Sequence, residues 1–152
     1  MSGKLMGARE LEQHIVDFMG SQGMCVLATC GAGEPRASAV EFFPDGTTIY
    51  MLTEGGRKIE NIGKNPRVSV AIHTQFTGWD SSAGVQITGT AEIGRAGSAI
   101  FAEGEAAYAR RKGATTKLPA MLNVVKIRPQ RIEMLDLRLR ARGYDVRQVL
   151  EC

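Results

Sequence analysis

Ile49-Tyr50-Met51-Leu52-Thr53-Glu54-Gly55-Gly56-Arg57-Lys58 is the stretch from which the rest of this chain can be read. Ile49 to Leu52 is apolar, carries β-favouring Ile and Tyr, and follows the turn signal Pro44-Asp45-Gly46, so it reads as a strand. Ile59, Ile62 and Gly63, ahead of Asn65-Pro66, read as a short helix over about 57–64, stopped by the proline. A helix opening on Arg57 and Lys58 sets two cations where the macrodipole is already positive, unfavourable by a few tenths of a kcal/mol each. Free amides at that end, the Thr53 hydroxyl and two flexible glycines make the same place an anion trap, with a phosphate as the expected occupant. A solvated Gly-Gly turn bearing two surface cations fits the window as well.

On the N-terminal side, Leu11, Ile15, Phe18 and Met19 fall at helical spacing, which predicts an amphipathic helix over about 8–20. Met24 to Thr29 is a strand apolar on both faces, closed by Gly31-Ala32-Gly33-Glu34-Pro35. Arg36 to Phe43 is a second strand, turned by Pro44-Asp45-Gly46-Thr47 into the third at about 47–53. Short loops predict that these three form an antiparallel meander. Beyond the 57–64 helix, Arg67 to His73 is a fourth strand, and a polar loop containing Trp79 follows. Gly84 to Ile93 alternates cleanly, with Val85, Ile87 and Gly89 on one face and Gln86, Thr88 and Thr90 on the other. Residues 97–112 read as a second main helix, weakened by Gly104. Asn123–Ile127 and Arg131–Leu137 read as two strands punctuated by Pro129, and the basic tail from Arg138 shows no period. The chain is mainly β with α insertions. Many short strands with helices between them point to a closed antiparallel barrel rather than a βαβ sheet.

At 152 residues the chain is read as one domain, 1–152, large enough to bury roughly 68–70% of its unfolded surface without staples. No segment is apolar over a bilayer's thickness, no secretion signal opens the chain, and three cysteines cannot all pair. A reducing, cytoplasmic setting without membrane contact is therefore expected. Residues 1–94 carry 7 basic and 10 acidic side chains, and residues 95–152 carry 12 and 6. Such asymmetry accompanies nucleic acid or acidic ligands in some proteins and a solvated helix face in others, and Arg110-Arg111-Lys112 reads as the solvated face. Nucleic acid is disfavoured, because only Tyr108 and Tyr144 accompany the basic third as stacking platforms.

Nucleophilic catalysis has little support: there is no Gly-x-Ser-x-Gly elbow, and His14 and His73 are the only imidazoles. Cys25 and Cys30 stand five apart in one strand, on opposite faces, unlike a zinc pair, and read as small buried hydrophobes. No metal site is expected. Gly31-Ala32-Gly33 is denied a helix by Pro35, so it is not a dinucleotide fingerprint, and no P-loop occurs. An enzymatic reading therefore needs a cofactor to carry the chemistry. The small residues of Arg36-Ala37-Ser38-Ala39 would let a flat ring lie close to the backbone, although on these residues alone tight barrel packing is the safer reading.

Together these pieces resemble the pyridoxamine 5'-phosphate oxidase-like family of FMN-binding split barrels. The resemblance runs through Pro35-Arg36, Asp45-Gly46 before Ile49-Tyr50, Thr53 four residues before Arg57-Lys58, Asn61, Asn65-Pro66-Arg67-Val68-Ser69-Val70, and Gln86 before Gly89-Thr90-Ala91-Glu92. Val125 to Glu133 resembles the closing strands. It implies a six-stranded antiparallel Greek-key barrel forming a homodimer, with one FMN in each of two clefts at the subunit interface. Arg57 and Lys58 would hold the phosphate, with Leu52 and Thr53 beside them. Arg36, Ser38, Ala39 and Val40 would run along the flavin, and Gln86 would reach it across the interface. The tail does not reproduce the substrate-binding end of true pyridoxamine phosphate oxidases, so vitamin B6 oxidation is not the expected activity. The expected function is oxidoreduction, passing hydride or electrons from a reduced donor to a small acceptor. The rivals are a flavin carrier, sensor or stress protein without turnover, and the same barrel holding deazaflavin or, through His73, heme.

Overall fold

A computed structural model describes residues 3–113 and 117–152. Helix α1 (Ala8–Gly20) leads into β1 (Met24–Cys30), β2 (Pro35–Glu41), β3 (Phe43–Asp45) and β4 (Thr48–Thr53). Helix α2 (Arg57–Lys64), β5 (Arg67–His73) and β6 (Ala83–Gly94) follow, then helix α3 (Ala99–Lys112), β7 (Asn123–Asp136) and β8 (Arg147–Glu151). Both helices placed by spacing at 8–20 and 57–64 are there, and α3 occupies most of 97–112. No helix among the described residues is long and apolar enough to cross a membrane.

The strands join one antiparallel sheet in the order β2-β1-β5-β6-β7-β4-β3, with β8 added to the C-terminal half of β7. The predicted meander is not formed: β1 pairs with β2, but β4 pairs with β7 at the far side of the sheet. What joins the two sides is the chain itself. The Phe42 amide donates to the Gly23 carbonyl at 3.2 Å, ending the β1–β2 ladder, and Phe43 already pairs with Tyr50 of β4. The 36–43 segment is thus one bent strand that changes partner at Phe42. Counting β2 and β3 as that one strand leaves seven, six of which close a split barrel with β8 appended to β7. The connection from β4 through α2 to β5 crosses over one end, as in a Greek key.

Pro129 does not divide β7 in two. Thr88 stands opposite Arg131 and Gly89 opposite Pro129, so Gln130 is the extra residue of a bulge. A bulge accepts a residue that cannot donate to the ladder. Gly89 is needed opposite it, because a Cβ there would lie 2.5 Å from the Arg128 carbonyl oxygen. The tail is also structured: a 3-10 turn (Leu137–Arg142) and β8, whose Leu150 joins the core.

Leu27, Ile49, Met51, Val70, Ile72, Val85, Ile87, Ile127 and Ile132 fill the barrel, and Leu11, Ile15, Phe18 and Met19 of α1 join the same core. A smaller cluster of Phe43, Tyr50, Phe101, Ala107, Leu118 and Val124 lies under α3.

Candidate functional site

Strand β4 delivers Leu52 and Thr53 to the loop before α2. The Thr53 hydroxyl accepts from the Gly55 amide at 3.2 Å and donates to the Gly55 carbonyl at 3.1 Å, so it shapes the loop. Gly55 and Gly56 have φ of 137° and 93°, conformations that favour glycine. Gly56 caps α2 without a side-chain hydrogen bond, leaving the first amides of the helix to a ligand or solvent. Arg57 is exposed and Lys58 half-buried at that opening. The Arg57 guanidinium lies 3.9 Å from the Glu34 carboxylate, an exposed and weak pair that leaves the cation available.

Helix α2 is fixed to the end of β1. The Asn61 amide group, itself buried, donates to the Thr29 hydroxyl at 3.1 Å, and Asn65 donates to the Cys30 carbonyl at 3.0 Å. A Cβ at Gly31 would lie 2.7 Å from Asn61 Cα, so only glycine allows the helix this close. Thr29 and Cys30 pair with Arg36 and Pro35, and the trap is thereby coupled to the head of β2.

The β2 candidates divide between two faces. Arg36, Ser38 and Val40 stand opposite Thr29, Leu27 and Cys25, which point inward. Ala39 opens outward with Ala37. On that outer face lies a row of cross-strand neighbours, Ala39, Val26, Ala71, Gln86, Glu133 and Val149. Gln86 is three strand spacings from Ala39, roughly 14 Å along the sheet. Within one chain the fold therefore gathers Arg36, Thr53, Arg57 and Lys58 at one end and leaves Gln86 apart. Gln86 instead lines a cavity of about 360 Å³ with His73, Glu133, Arg147 and Val149. The His73 Nδ1 lies 2.7 Å from the Thr74 carbonyl, an acceptor, so Nδ1 is the donor in this contact.

Several other ionisable groups are held in place by burial or by close partners. Burial pushes the Cys25 thiol up to about 12, which makes it inert, while Cys30 is only half-buried, contrary to its expected burial, and borders the outer face. Burial and the Glu103 carboxylate hold the Tyr50 hydroxyl far above its ordinary range. Hydrogen bonds from Lys126 at 2.5 Å and Tyr50 at 2.8 Å hold Glu103 below the ordinary carboxylate value. His14 sits 2.9 Å from the fully buried Asp136, a structural role that agrees with its place on an amphipathic helix.

The sequence profile of the pyridoxamine 5'-phosphate oxidase family matches residues 11–136, which includes every candidate residue. General stress protein 26 of Bacillus subtilis (strain 168) is 32% identical over 89 residues, 58% of this chain and 63% of that relative, so less than two thirds of it is matched. Among solved structures, a conserved hypothetical protein of Mycobacterium tuberculosis superimposes with a TM-score of 0.73 at 24% identity, covering 93% of this chain and 91% of its own. A heme binding protein of Mycobacterium smegmatis gives 0.69 at 22% identity, over 97% of this chain and 59% of that one. A FAD-binding protein of Mesorhizobium loti gives 0.64 at 19%, over 82% and 90%. These three share the fold. With the profile covering most of its length and the split barrel in place, the chain belongs to the pyridoxamine 5'-phosphate oxidase family.

Proposed function

We propose that this chain is an FMN-binding flavoprotein that works as a homodimer and passes hydride or electrons between a reduced donor and a small acceptor. The observation that carries the reading is the uncapped start of α2, where free amides, two positive-φ glycines, Arg57 and Lys58 converge beside the head of β2. That combination suits a phosphate monoester attached to a flat ring system: the helix end takes the phosphate, and the small residues of β2 leave room for the ring. The isoalloxazine supplies the redox chemistry when bound, while the protein's own residues bind and orient it. Gln86 lies on the outer sheet face, away from the start of α2, a placement that suits contact with a cofactor bound by a second copy.

Arg57→Ala with Lys58→Ala should weaken FMN binding by several kcal/mol, since charge-assisted bonds contribute roughly 1.5–3 kcal/mol each. Titration of the apoprotein reads this directly. Unchanged affinity in the double variant sinks the phosphate assignment. A deazaflavin coenzyme, which also carries phosphate, would respond to the same variant but differ in mass.

A heme reading has one specific observation in its favour: His73 lines an exposed cavity, and one fold neighbour is a heme binding protein. His73→Ala separates the two. It should abolish heme binding if His73 is an axial ligand and leave FMN affinity unchanged if the trap holds a flavin.

A further inference from the structure

Strand β2 is held on few sides. It pairs with β1 along one edge, and among the described residues no strand pairs with its other edge. Most of its residues are exposed. At its end the chain turns the corner at Phe42, and three consecutive cations from the last turn of α3 meet that corner. Lys112 Nζ lies 2.9 Å from Glu41 Oε2. The Arg111 guanidinium lies 5.0 Å from the centre of the Phe42 ring. Arg110 Nη2 lies 3.4 Å from Asp45 Oδ2. The Phe43 ring meets Tyr108 of the same helix edge-on, with centroids 5.1 Å apart. Basic residues in a last helical turn complement the dipole in any helix. That account does not explain why each of the three takes a different residue of the one segment 41–45.

The first half of α3 is fixed to the other side of the barrel. Glu103 bonds both Tyr50 of β4 and Lys126 of β7, and Gly104 lies against Val124 so closely that a Cβ would sit 2.4 Å from Val124 Cγ1. Strand β4 runs directly into the Thr53–Lys58 trap. Helix α3 therefore connects the strand assigned to the ring with the strand that ends in the phosphate site.

We propose that α3 is a brace, and that Arg110, Arg111 and Lys112 are positioning residues that set β2 relative to the phosphate trap. The cofactor consequence rests on the flavin reading above. FMN must touch both β2 and the trap at once, whereas riboflavin, lacking the phosphate, needs only β2. Loosening the brace weakens FMN more than riboflavin, while general destabilisation weakens the two alike.

The test compares the wild type with Lys112→Glu, which turns the pair with Glu41 repulsive, and with Lys112→Glu/Glu41→Lys, which restores it with the charges exchanged. Amide hydrogen exchange over residues 36–42 of the apoprotein should rise about two- to fivefold in Lys112→Glu, the range of one exposed ion pair, and return in the double variant. The ratio of FMN to riboflavin affinity should fall by a similar factor and recover in parallel. Equal exchange in all three proteins overturns the brace, and equal weakening of both ligands overturns its positioning role. A wild type that binds no FMN but shows the exchange response refutes the cofactor role and leaves the clamp on β2, so the two failures are told apart.

Discussion

Asp136 has no exposed surface, yet it is held ionised. Burial pushes its carboxyl up, but the Arg138 fork at 2.8 and 2.9 Å, the Arg138 amide and His14 together outweigh burial and hold it below the ordinary carboxylate range. A carboxyl whose folded pKa lies below its unfolded value of about 3.9 stabilises the fold above that pH and loses the contribution as pH falls through the folded value. Asp136→Asn should therefore cost about 3 kcal/mol in urea unfolding at neutral pH, because it leaves Arg138 and His14 facing a neutral amide. The difference from wild type should shrink below about pH 4; a cost that stays constant from pH 7 to pH 3 contradicts the assignment. Nothing local announces this cluster. His14 and Asp136 are 122 positions apart, and each fits its own element's pattern without the other. The Gly55-Gly56-Arg57-Lys58 trap, by contrast, was legible because all its parts are neighbours in sequence.

At the scale of elements, helices and strand positions followed from periodicity, while partners did not. Residues 36–43 read correctly as strand, but which neighbour each half pairs with depends on β4 and β7, and the change of partner at Phe42 has no local signature. Pro129 suggested a break because proline cannot donate to a ladder; the bulge at Gln130 satisfies that constraint and lets β7 continue. Strand β8 went unseen because its alternation is short and its inward positions, Gln148 and Leu150, are not both apolar. Leu150→Ala should nonetheless cost about 2–3 kcal/mol, measured as a shift of the urea midpoint, and a cost near zero would mean that β8 is detached in solution. Gly104 lowers the helix propensity of α3, yet it is what permits contact with Val124. Gly104→Ala would raise helix propensity by about 1 kcal/mol but overpack the contact by about 1–3 kcal/mol, so the net change should be a lower melting temperature. A higher one would show that the helix has room to move away.

For the whole molecule, strand number and short connections were enough to indicate an antiparallel barrel, because no run of alternating strands and long helices was present to build a parallel sheet. The outer face was not legible. It is assembled from β2, β1, β5, β6, β7 and β8, and its second row of small or polar residues, Ala37, Ala28, Ser69 and Thr88, comes from four separate parts of the chain. If this face joins two copies, sedimentation should give twice the 16.4 kDa chain mass. Ala71→Arg, at the centre of the face, should then yield a monomer with weakened FMN binding. A dimer unaffected by that substitution would move the interface elsewhere. Whether the loop beside β2 holds the phosphate of FMN is read from the visible absorption spectrum of the freshly purified protein, followed by the mass of whatever it releases on denaturation. The expected outcome is a yellow protein that releases a chromophore with the mass of FMN. A colourless protein that takes up no added FMN, or one that releases heme, would contradict it.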